Sequence, residues 1–566
     1  MFTQQINWMK VSIILLFISL LVLMPLVTQA QSTAPTDADL AGQIDAMVAT
    51  AYPADGPGAA VLVLRDGEII LCKGYGLANV ELGVPMAPAM VFRLGSVAKQ
   101  FTALAILILA DEGKLALADD ITTYLPDYPT QGQAITIEHL LTHTGGVKDL
   151  EFLPARLAVE RSDLSVAELI ALFKDEPLDF VPGTAWSYSN SGYILLGAII
   201  EQVSGMSYAD FIQQRIFTPL GMTHSYYDNP ALVIPGRVAG YTRTNDGYAN
   251  AAYMSMTQPY AAGALASSVD DLAKWDAALY TNKLVKQSTL RRMFKSVVLM
   301  NGQTPGYGYG WGVGSYEGDP IQDHNGGING FYTEVMRLPA DKVYIAILSN
   351  LENPTVAPED LAFDIATLVI GKPYQDPAPI PVPAKTLATY AGVYLVNGQG
   401  GVVIRHEDDH LLWQTGGPAH VLTPLAPDEF FMAGVPLRIR FVKDRASTVT
   451  SMQLQQRFSV WIDLPKSDQP LPPTEVTAAI DPALYDQYVG DYQLGPSLAL
   501  TISVENGTLF AQATGEAAME LAAAAADSFF LPGLDVQIKF TRDADGAVTG
   551  LVLQQSGQAM TGEKVK

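Results

Sequence analysis

The chain has 566 residues, 49% of them hydrophobic, and a formal net charge of −24 at pH 7. This length predicts several domains with large apolar cores, and the acidity makes nucleic acid and anionic membranes unfavourable partners because like charges repel. Cys72 is the only cysteine, so no internal disulfide can form, and we interpret it as a buried strand residue.

Residues 1–30 have the composition of an export signal. An apolar segment at 11–27 follows Lys10, and the tripeptide 28–30 is typical of a cleavage site. The alternative is an uncleaved membrane anchor, because the segment has borderline length for a spanning helix. We predict a signal peptide at 1–30 and an exported, periplasmic or extracellular protein.

Residues 40–372 form the first predicted domain, in which helical and strand patterns are mixed. Apolar periodicity predicts helices at 39–51, 96–109, 192–203 and 359–370. Apolar runs predict a hairpin at 59–71 and two paired strands at 333–338 and 342–348.

Ser96 stands three residues before Lys99, at the start of the second predicted helix. Positions i and i+3 share one helix face, so the hydroxyl and the amine are expected to meet there. An amine in a dry pocket can lose its proton and accept that of the serine. The alternative is an ordinary N-cap serine beside a solvated lysine.

Two further polar clusters are candidates for the same site. Tyr188 and Asn190 lie in a short loop between a turn and an apolar helix, where polar side chains often project into a cleft. His324 precedes Gly326 and Gly327, which allow close backbone approach, and a backbone N–H there could complete an oxyanion hole with that of Ser96. The alternative for this second cluster is a plain glycine turn.

A rival segment, 143–146, has a similar histidine–glycine composition. It follows a short predicted helix, and Gly145 is interpreted as the residue that ends that helix. We therefore assign this segment a structural role.

The amino-acid composition of the chain changes after residue 372. A Pro-rich linker is predicted at 373–385, followed by a module at 386–464, a second linker at 465–482 and a second module at 483–566. The two modules are repeats with an offset of 98 or 99 residues, as in the pairs Tyr390–Tyr394 with Tyr488–Tyr492 and Ile439–Asp444 with Ile538–Asp543. Short alternating runs predict a small antiparallel barrel or sandwich for each.

Together, the clusters of the first domain resemble motifs of the serine beta-lactamase and penicillin-binding protein superfamily, in particular its class C-like branch: Ser96-Val97-Ala98-Lys99, Tyr188-Ser189-Asn190 and His324-Asn325-Gly326. The resemblance covers residues 40–372, and the tail resembles small β modules appended in this branch. It implies an α/β (α+β) fold, in which helices flank a central antiparallel sheet beside an all-helical lobe.

The resemblance also implies roles for the site residues. Ser96 would form an acyl-enzyme, while Lys99 and Tyr188 would share proton transfer, the tyrosine as phenol or phenolate. Asn190 would bind the substrate amide and Lys99. The opposite wall would consist of His324, Gly326 and Gly327, the last of these donating its N–H to the oxyanion. No metal or cofactor is expected.

His324 departs from the lysine that penicillin-recognising members carry. A mostly neutral histidine attracts a substrate carboxylate less than lysine does. We therefore expect an esterase or small-peptide hydrolase rather than an efficient beta-lactamase. The alternatives are a D-alanyl-D-alanine carboxypeptidase or D-aminopeptidase acting on cell-wall peptides, and a non-catalytic ligand-binding or sensor protein. The sequence leaves the oligomeric state open.

Overall fold

The computed structural model describes residues 36–565, except for 245–246, 397–398, 416–418, 458–459, 472–479, 495–498, 506, 514–517, 532–535, 544 and 556–557. The predicted signal peptide lies outside these residues. Within them, none of the helices is both long and apolar enough to span a bilayer.

The first domain is built on a six-stranded antiparallel sheet. The strands of this domain are β1 (Ala59–Arg65), β2 (Glu68–Tyr75), β3 (Leu77–Asn79), β4 (Val84–Pro85), β5 (Phe92–Arg93), β6 (Tyr226–Tyr227), β7 (Tyr241–Thr244), β8 (Gly247–Asn250), β9 (Leu265–Ser267), β10 (Gly312–Tyr316), β11 (Asp319–Ile328), β12 (Phe331–Leu338) and β13 (Val343–Ser349). The sheet order is β10-β11-β12-β13-β1-β2. The strands β1 and β13 are mostly apolar, and all their residues except Arg65 are buried, because both faces of the sheet are covered.

Helices cover the two faces of this sheet. The helices of the chain are α1 (Asp37–Ala51), α2 (Lys99–Asp111), α3 (Ile137–Leu141), α4 (Pro154–Val159), α5 (Val166–Ala171), α6 (Asn190–Ser204), α7 (Tyr208–Ile212), α8 (Thr218–Leu220), α9 (Tyr260–Gly263), α10 (Val269–Leu279), α11 (Gln287–Leu290), α12 (Pro358–Val369) and α13 (Ala384–Leu387). On β1, Val61 and Val63 pack against α1 and α12, whereas Leu62 and Leu64 join the core of the helical lobe. Because successive side chains of a strand point to opposite faces of the sheet, β1 contributes residues to both apolar cores.

The turn that carries Ser96 differs from the prediction. Gly95–Ala98 is a short 3₁₀ helix, and the α-helix begins only at Lys99. Side chains at i and i+3 eclipse each other in a 3₁₀ helix, so this turn brings Ser96 and Lys99 together at least as directly as an α-helix would. Every residue of α2 from Lys99 to Leu109 is buried, as its continuous apolar run predicted.

Cys72 lies in β2, and its residue is half-buried rather than buried. Its Sγ is 3.5 Å from Oδ1 of Asp270. Burial, followed by the Asp270 charge, raises the pKa of the thiol to about 12. A thiol that stays protonated is a poor nucleophile, which agrees with a structural role.

The two C-terminal modules are all-β, as predicted. Module 1 is an eight-stranded sheet in sequence order, with strands β14 (Gly392–Val396), β15 (Gln399–Glu407), β16 (His410–Gln414), β17 (His420–Ala426), β18 (Glu429–Met432), β19 (Val435–Lys443), β20 (Val449–Gln456) and β21 (Ile462–Pro465). Module 2 is a closed barrel, with strands β22 (Gly490–Gln493), β23 (Ala499–Glu505), β24 (Thr508–Ala513), β25 (Met519–Ala525), β26 (Ser528–Phe530), β27 (Val536–Arg542), β28 (Val548–Gln555) and β29 (Gln558–Lys564).

The duplication is visible in matching hydrogen bonds. The hydroxyl of Tyr394 donates to the carbonyl of Tyr390 at 2.6 Å, and that of Tyr492 donates to the carbonyl of Tyr488 at 2.7 Å. The matching tyrosines therefore close the same local turn at the start of each module, which supports the repeat seen in the sequence.

Candidate active site

The side chains of Ser96 and Lys99 are in hydrogen-bond contact at the centre of the cleft. Nζ of Lys99 lies 3.0 Å from Oγ of Ser96, 2.8 Å from Oδ1 of Asn190 and 2.9 Å from the carbonyl oxygen of Ala262. The amide and carbonyl oxygens can only accept hydrogen bonds. A neutral amine would satisfy both with its two N–H groups and keep its lone pair for the Ser96 hydroxyl.

Burial controls the protonation of Lys99. The side chain is completely buried, and this desolvation lowers the pKa of Lys99 to about 7, against the opposing charges of Asp149 and Glu151. Both protonation states are therefore populated near neutral pH. An amine poised in this way can take a proton and return it within one catalytic cycle.

Tyr188 faces this pair from the loop that precedes α6. Its ring centroid is 4.8 Å from Nζ of Lys99, and its buried hydroxyl forms no hydrogen bond with any residue that the structure describes. Burial raises the pKa of Tyr188 above the usual tyrosine value. The side chain is thus a neutral phenol, which favours a proton relay over a phenolate base.

Asn190 connects Lys99 to a carboxylate that the sequence analysis did not identify. Its Nδ2 donates to Oδ2 of Asp149 at 3.3 Å, while its Oδ1 accepts from Lys99. Asp149 is buried, and this raises the pKa of its carboxyl group. Glu151, two residues on, pairs with Arg156 at 2.9 Å. No local sequence pattern identifies Asp149 and Glu151 as site residues. They reach the site because segments that are distant in sequence pack together in the fold.

His324 lies beside Tyr188, with the two ring centroids 6.1 Å apart. Its Nδ1 is 2.6 Å from the carbonyl oxygen of Asn325, so Nδ1 carries the proton, and Nε2 accepts from the Tyr307 hydroxyl at 2.8 Å. Burial, together with the Lys99 charge, lowers the pKa of His324 to about 3. The imidazole is therefore neutral, and this wall carries no positive charge of its own.

Gly326 and Gly327 belong to strand β11 and not to a glycine turn. A Cβ on Gly326 would lie 2.0 Å from the carbonyl oxygen of Leu94, whereas one on Gly327 would meet only the Tyr332 ring at 3.9 Å. The absence of a side chain at Gly326 lets β11 lie directly against the turn that carries Ser96. The Thr333 hydroxyl, donating to Leu94 at 2.9 Å, ties the two segments together.

His143 is part of the cleft wall, and the assignment of Gly145 as the helix-ending residue is wrong. The left-handed residue after α3 is His143 itself, with φ +58°. Its ring packs 4.3 Å from that of Tyr188, and its Nδ1 accepts from the backbone N–H of Ser189 at 3.0 Å. The histidine thus fixes the segment that presents Tyr188 and, as the first residue of α6, Asn190.

All seven residues predicted for the site come together in the structure. Ser96, Lys99, Tyr188 and Asn190 form one group around the amine, and the ring of His324 lies beside that of Tyr188. The two glycines line the backbone beside Gly95, where a Cβ would lie 3.0 Å from the carbonyl oxygen of Gly327. A hydroxyl with a neutral amine and backbone N–H groups nearby is equipped for acyl transfer.

The chain is similar to penicillin-binding proteins and to a D-aminopeptidase. Penicillin-binding protein 4* of Bacillus subtilis (strain 168) is 30% identical over 416 residues, covering 67% of this chain and 89% of that protein. D-aminopeptidase of Gluconobacter oxydans (strain 621H) is 28% identical over 347 residues, covering 59% and 63%. The solved structure of an octameric penicillin-binding protein homologue from Pyrococcus abyssi matches with a TM-score of 0.52 and 26% identity, covering 75% of this chain and 99% of that one.

Two family profiles match separate parts of the chain. A domain of unknown function, DUF3471, matches residues 474–564, which include the closed barrel. The profile described as Beta-lactamase matches residues 45–369, which include the central sheet and the helical lobe. Since this match extends over more than half of the chain, the protein belongs to the beta-lactamase family and is a serine hydrolase related to the penicillin-binding proteins.

Proposed function

We propose that this protein hydrolyses an ester or an amide through an acyl-enzyme on Ser96. The observation that supports the proposal most strongly is the set of three contacts around Lys99, which suits a neutral amine with its lone pair directed at the Ser96 hydroxyl. An ordinary N-cap serine beside a solvated lysine would not place that amine in a dry pocket.

The reaction follows from this geometry in two halves. Lys99 accepts the Ser96 proton as Oγ bonds to the substrate carbonyl carbon, and the N–H groups of Ser96 and Gly327 stabilise the oxyanion. The proton then passes, through the Tyr188 hydroxyl, to the leaving oxygen or nitrogen as its bond to carbon breaks. In the second half, water bonds to the acyl carbon while Tyr188 and Lys99 take its proton. The bond between that carbon and Oγ then breaks, the proton passes to Oγ, and the carboxylic acid leaves with the Ser96 hydroxyl restored.

The neutral His324 favours ester or small amide substrates over beta-lactams. The imidazole donates to the Asn325 carbonyl and accepts from Tyr307, so neither ring nitrogen offers a charge to a substrate carboxylate. Beta-lactams carry such a carboxylate, and slow turnover of nitrocefin is expected.

A second candidate is aminopeptidase activity on small D-amino acid amides. Asp149 and Glu151 lie close enough to Lys99 to raise its pKa, and a carboxylate in this position would attract the free ammonium group of a substrate. A relative with 28% identity carries the name D-aminopeptidase. D-alanine p-nitroanilide should then be hydrolysed faster than its N-acetyl derivative, and equal rates would contradict this candidate.

A substrate panel tests the proposal. Purified protein should hydrolyse p-nitrophenyl hexanoate faster than nitrocefin, and Ser96→Ala should abolish both activities. Arg243→Gln, a substitution on the exposed side of β7, serves as a matched control and should leave both rates unchanged. If wild type turns over no ester, anilide or nitrocefin, a non-catalytic ligand-binding role replaces the proposal.

We also propose that the protein is exported. The support is the basic, apolar and small-residue order of residues 1–30. Expression in a bacterial host should give a mature N-terminus at Gln31 in the periplasmic fraction. An intact N-terminus in the cytoplasmic fraction would contradict export.

A further inference from the structure

A cavity of about 200 Å³ opens beside the segments that carry Ser96 and Gly327, and none of the seven predicted site residues lines it. Arg93, which lines one wall, is three residues before Ser96, and Asn329, on another, is two residues after Gly327. Even an extended chain spans at most about 3.6 Å per residue, so both backbone positions lie within about 11 Å of the oxyanion N–H groups. Asn329 directly follows Ile328, the last residue of β11, at the end of that strand away from His324.

Two guanidinium groups and one carboxylate determine the charge of the cavity. Asp228, with 2% of its side chain exposed, pairs with Nε of Arg93 at 2.8 Å and with Nη2 of Arg237 at 3.0 Å. The backbone N–H of Asp228, donating to the Ala264 carbonyl at 2.8 Å, holds the carboxylate in place. The lining thus has one positive charge in excess, although the chain as a whole carries −24.

The two arginines keep unused hydrogen-bond capacity. Nε of Arg237 is buried without an acceptor among the residues that the structure describes. Arg93 uses only Nε on Asp228 within the same residues, and its guanidinium lies 5.7 Å from the centroid of the Phe331 ring. A guanidinium has five N–H donors in a planar fork that matches a carboxylate. The cavity is therefore positively charged, and its two guanidinium groups have N–H donors that form no hydrogen bond with the residues that the structure describes.

We propose that this cavity is a subsite for a carboxylate carried on the acyl part of the substrate, joined to the scissile carbonyl by a short chain. This inference rests on the proposed function and adds a substrate class to it: acyl groups of dicarboxylic type. The volume accommodates a carboxylate and a few methylene groups but not a whole peptide. The neutral His324 offers no positive charge to a substrate carboxylate. In this proposal, Arg93 and Arg237 supply that charge instead, from the cavity.

The test compares two esters of equal acyl length. Wild type should hydrolyse p-nitrophenyl hydrogen adipate with a kcat/KM at least 10-fold higher than that for p-nitrophenyl hexanoate. Arg237→Gln should reduce this ratio at least 10-fold and leave hexanoate hydrolysis unchanged, which also shows that the variant folds. Arg237→Lys should keep part of the preference, because it retains the charge without the fork.

A matched control removes an arginine that does not line the cavity. Arg243 lies on the neighbouring strand β7, against the Tyr248 ring, so Arg243→Gln changes the net charge equally and should preserve the ratio. The subsite is overturned if wild type shows no preference, or if Arg237→Gln and Arg243→Gln behave alike.

Direct binding separates this inference from the proposed function. Titration calorimetry of Ser96→Ala with adipate should show binding that Arg237→Gln removes, whether or not the wild type turns over esters. Hexanoate hydrolysis that Ser96→Ala abolishes supports the proposed function even if adipate fails to bind. Absence of adipate binding in calorimetry, together with equal ester rates, would leave the cavity without this role.

Discussion

Lys99 is the residue on which the chemistry depends. A lysine ammonium in water holds its proton far above neutral pH, and burial is the main cause that brings the pKa of Lys99 to about 7. The cost of burying the amine is offset by the three polar contacts of Nζ and by the two carboxylates nearby. Activity therefore responds to any change in these partners.

The pH profile should rise through neutrality. Lys99 must be neutral to accept the Ser96 proton, and with a pKa of about 7 the active fraction increases as pH rises through that value. We expect log kcat/KM for p-nitrophenyl hexanoate to increase with unit slope below pH 7 and to level off above it. A profile that is flat or falls between pH 6 and 8 would contradict Lys99 as the base.

Asp149→Asn should move this profile to lower pH. The Asp149 charge raises the pKa of Lys99, so removing it disfavours the ammonium and shifts the acidic limb downwards. The expected readout is the midpoint of the limb measured with the same ester. Asp66→Asn, which removes a carboxylate from an exposed ion pair with Lys342, is the matched control. An unchanged or raised midpoint in Asp149→Asn would refute the coupling.

At the scale of elements, the site depends on one close contact between a turn and a strand. Gly326 on β11 lies against Leu94, and the Thr333 hydroxyl on β12 bonds to the same carbonyl. Two elements that are far apart in sequence therefore meet beside Ser96. The proposed oxyanion donors, the N–H groups of Ser96 and Gly327, belong to these two elements and not to a free loop.

Gly326→Ala should separate these two elements. The added Cβ would lie 2.0 Å from the Leu94 carbonyl oxygen, which is backbone and cannot rotate away. A displacement of about 1 Å at the oxyanion position can cost on the order of 100-fold in rate, so kcat/KM should fall by about that factor. Gly42→Ala, where nothing lies within 4 Å of the new Cβ, is the control. Wild-type activity in Gly326→Ala would contradict the contact.

The sequence predicted the parts of the site that depend on local spacing. Ser96 and Lys99 were predicted from their separation together with the apolar helix that Ser96 opens, and the loop of Tyr188 from the turn and helix around it. Asp149 and His143 were missed as site residues because their roles come from packing between segments about 40 residues apart. The 3₁₀ turn was missed because apolar residues are compatible with both helix types.

At the scale of the whole molecule, module 1 contacts the sheet domain through a charged residue. Arg457 pairs with Asp360 at 2.7 Å and with Glu359 at 3.6 Å, both on α12. The buried Glu334 on β12 also faces this group, and burial raises the pKa of its carboxyl well above the usual value. The duplication was predicted from sequence repeats, but this contact was not, because an ion pair between residues about 100 positions apart leaves no local pattern in the sequence.

Arg457→Gln should destabilise the protein. Removing the cation leaves Glu359, which is largely buried, without its compensating charge. We expect a loss of about 2 kcal/mol in the free energy of unfolding. Urea denaturation of the full chain measures it, with the exposed Arg445→Gln in the same module as control. Equal stability of the two variants would show that the contact contributes nothing.

The central claim is that Ser96 is the acylated nucleophile and that Lys99 activates it. The most direct measurement is peptide mapping by mass spectrometry after reaction with a fluorophosphonate, which phosphonylates activated serines. We expect one adduct per chain, on Ser96, with none on Ser96→Ala and labelling slowed about 1,000-fold in Lys99→Met. Labelling of another serine, or equal labelling of wild type and Ser96→Ala, would contradict the claim.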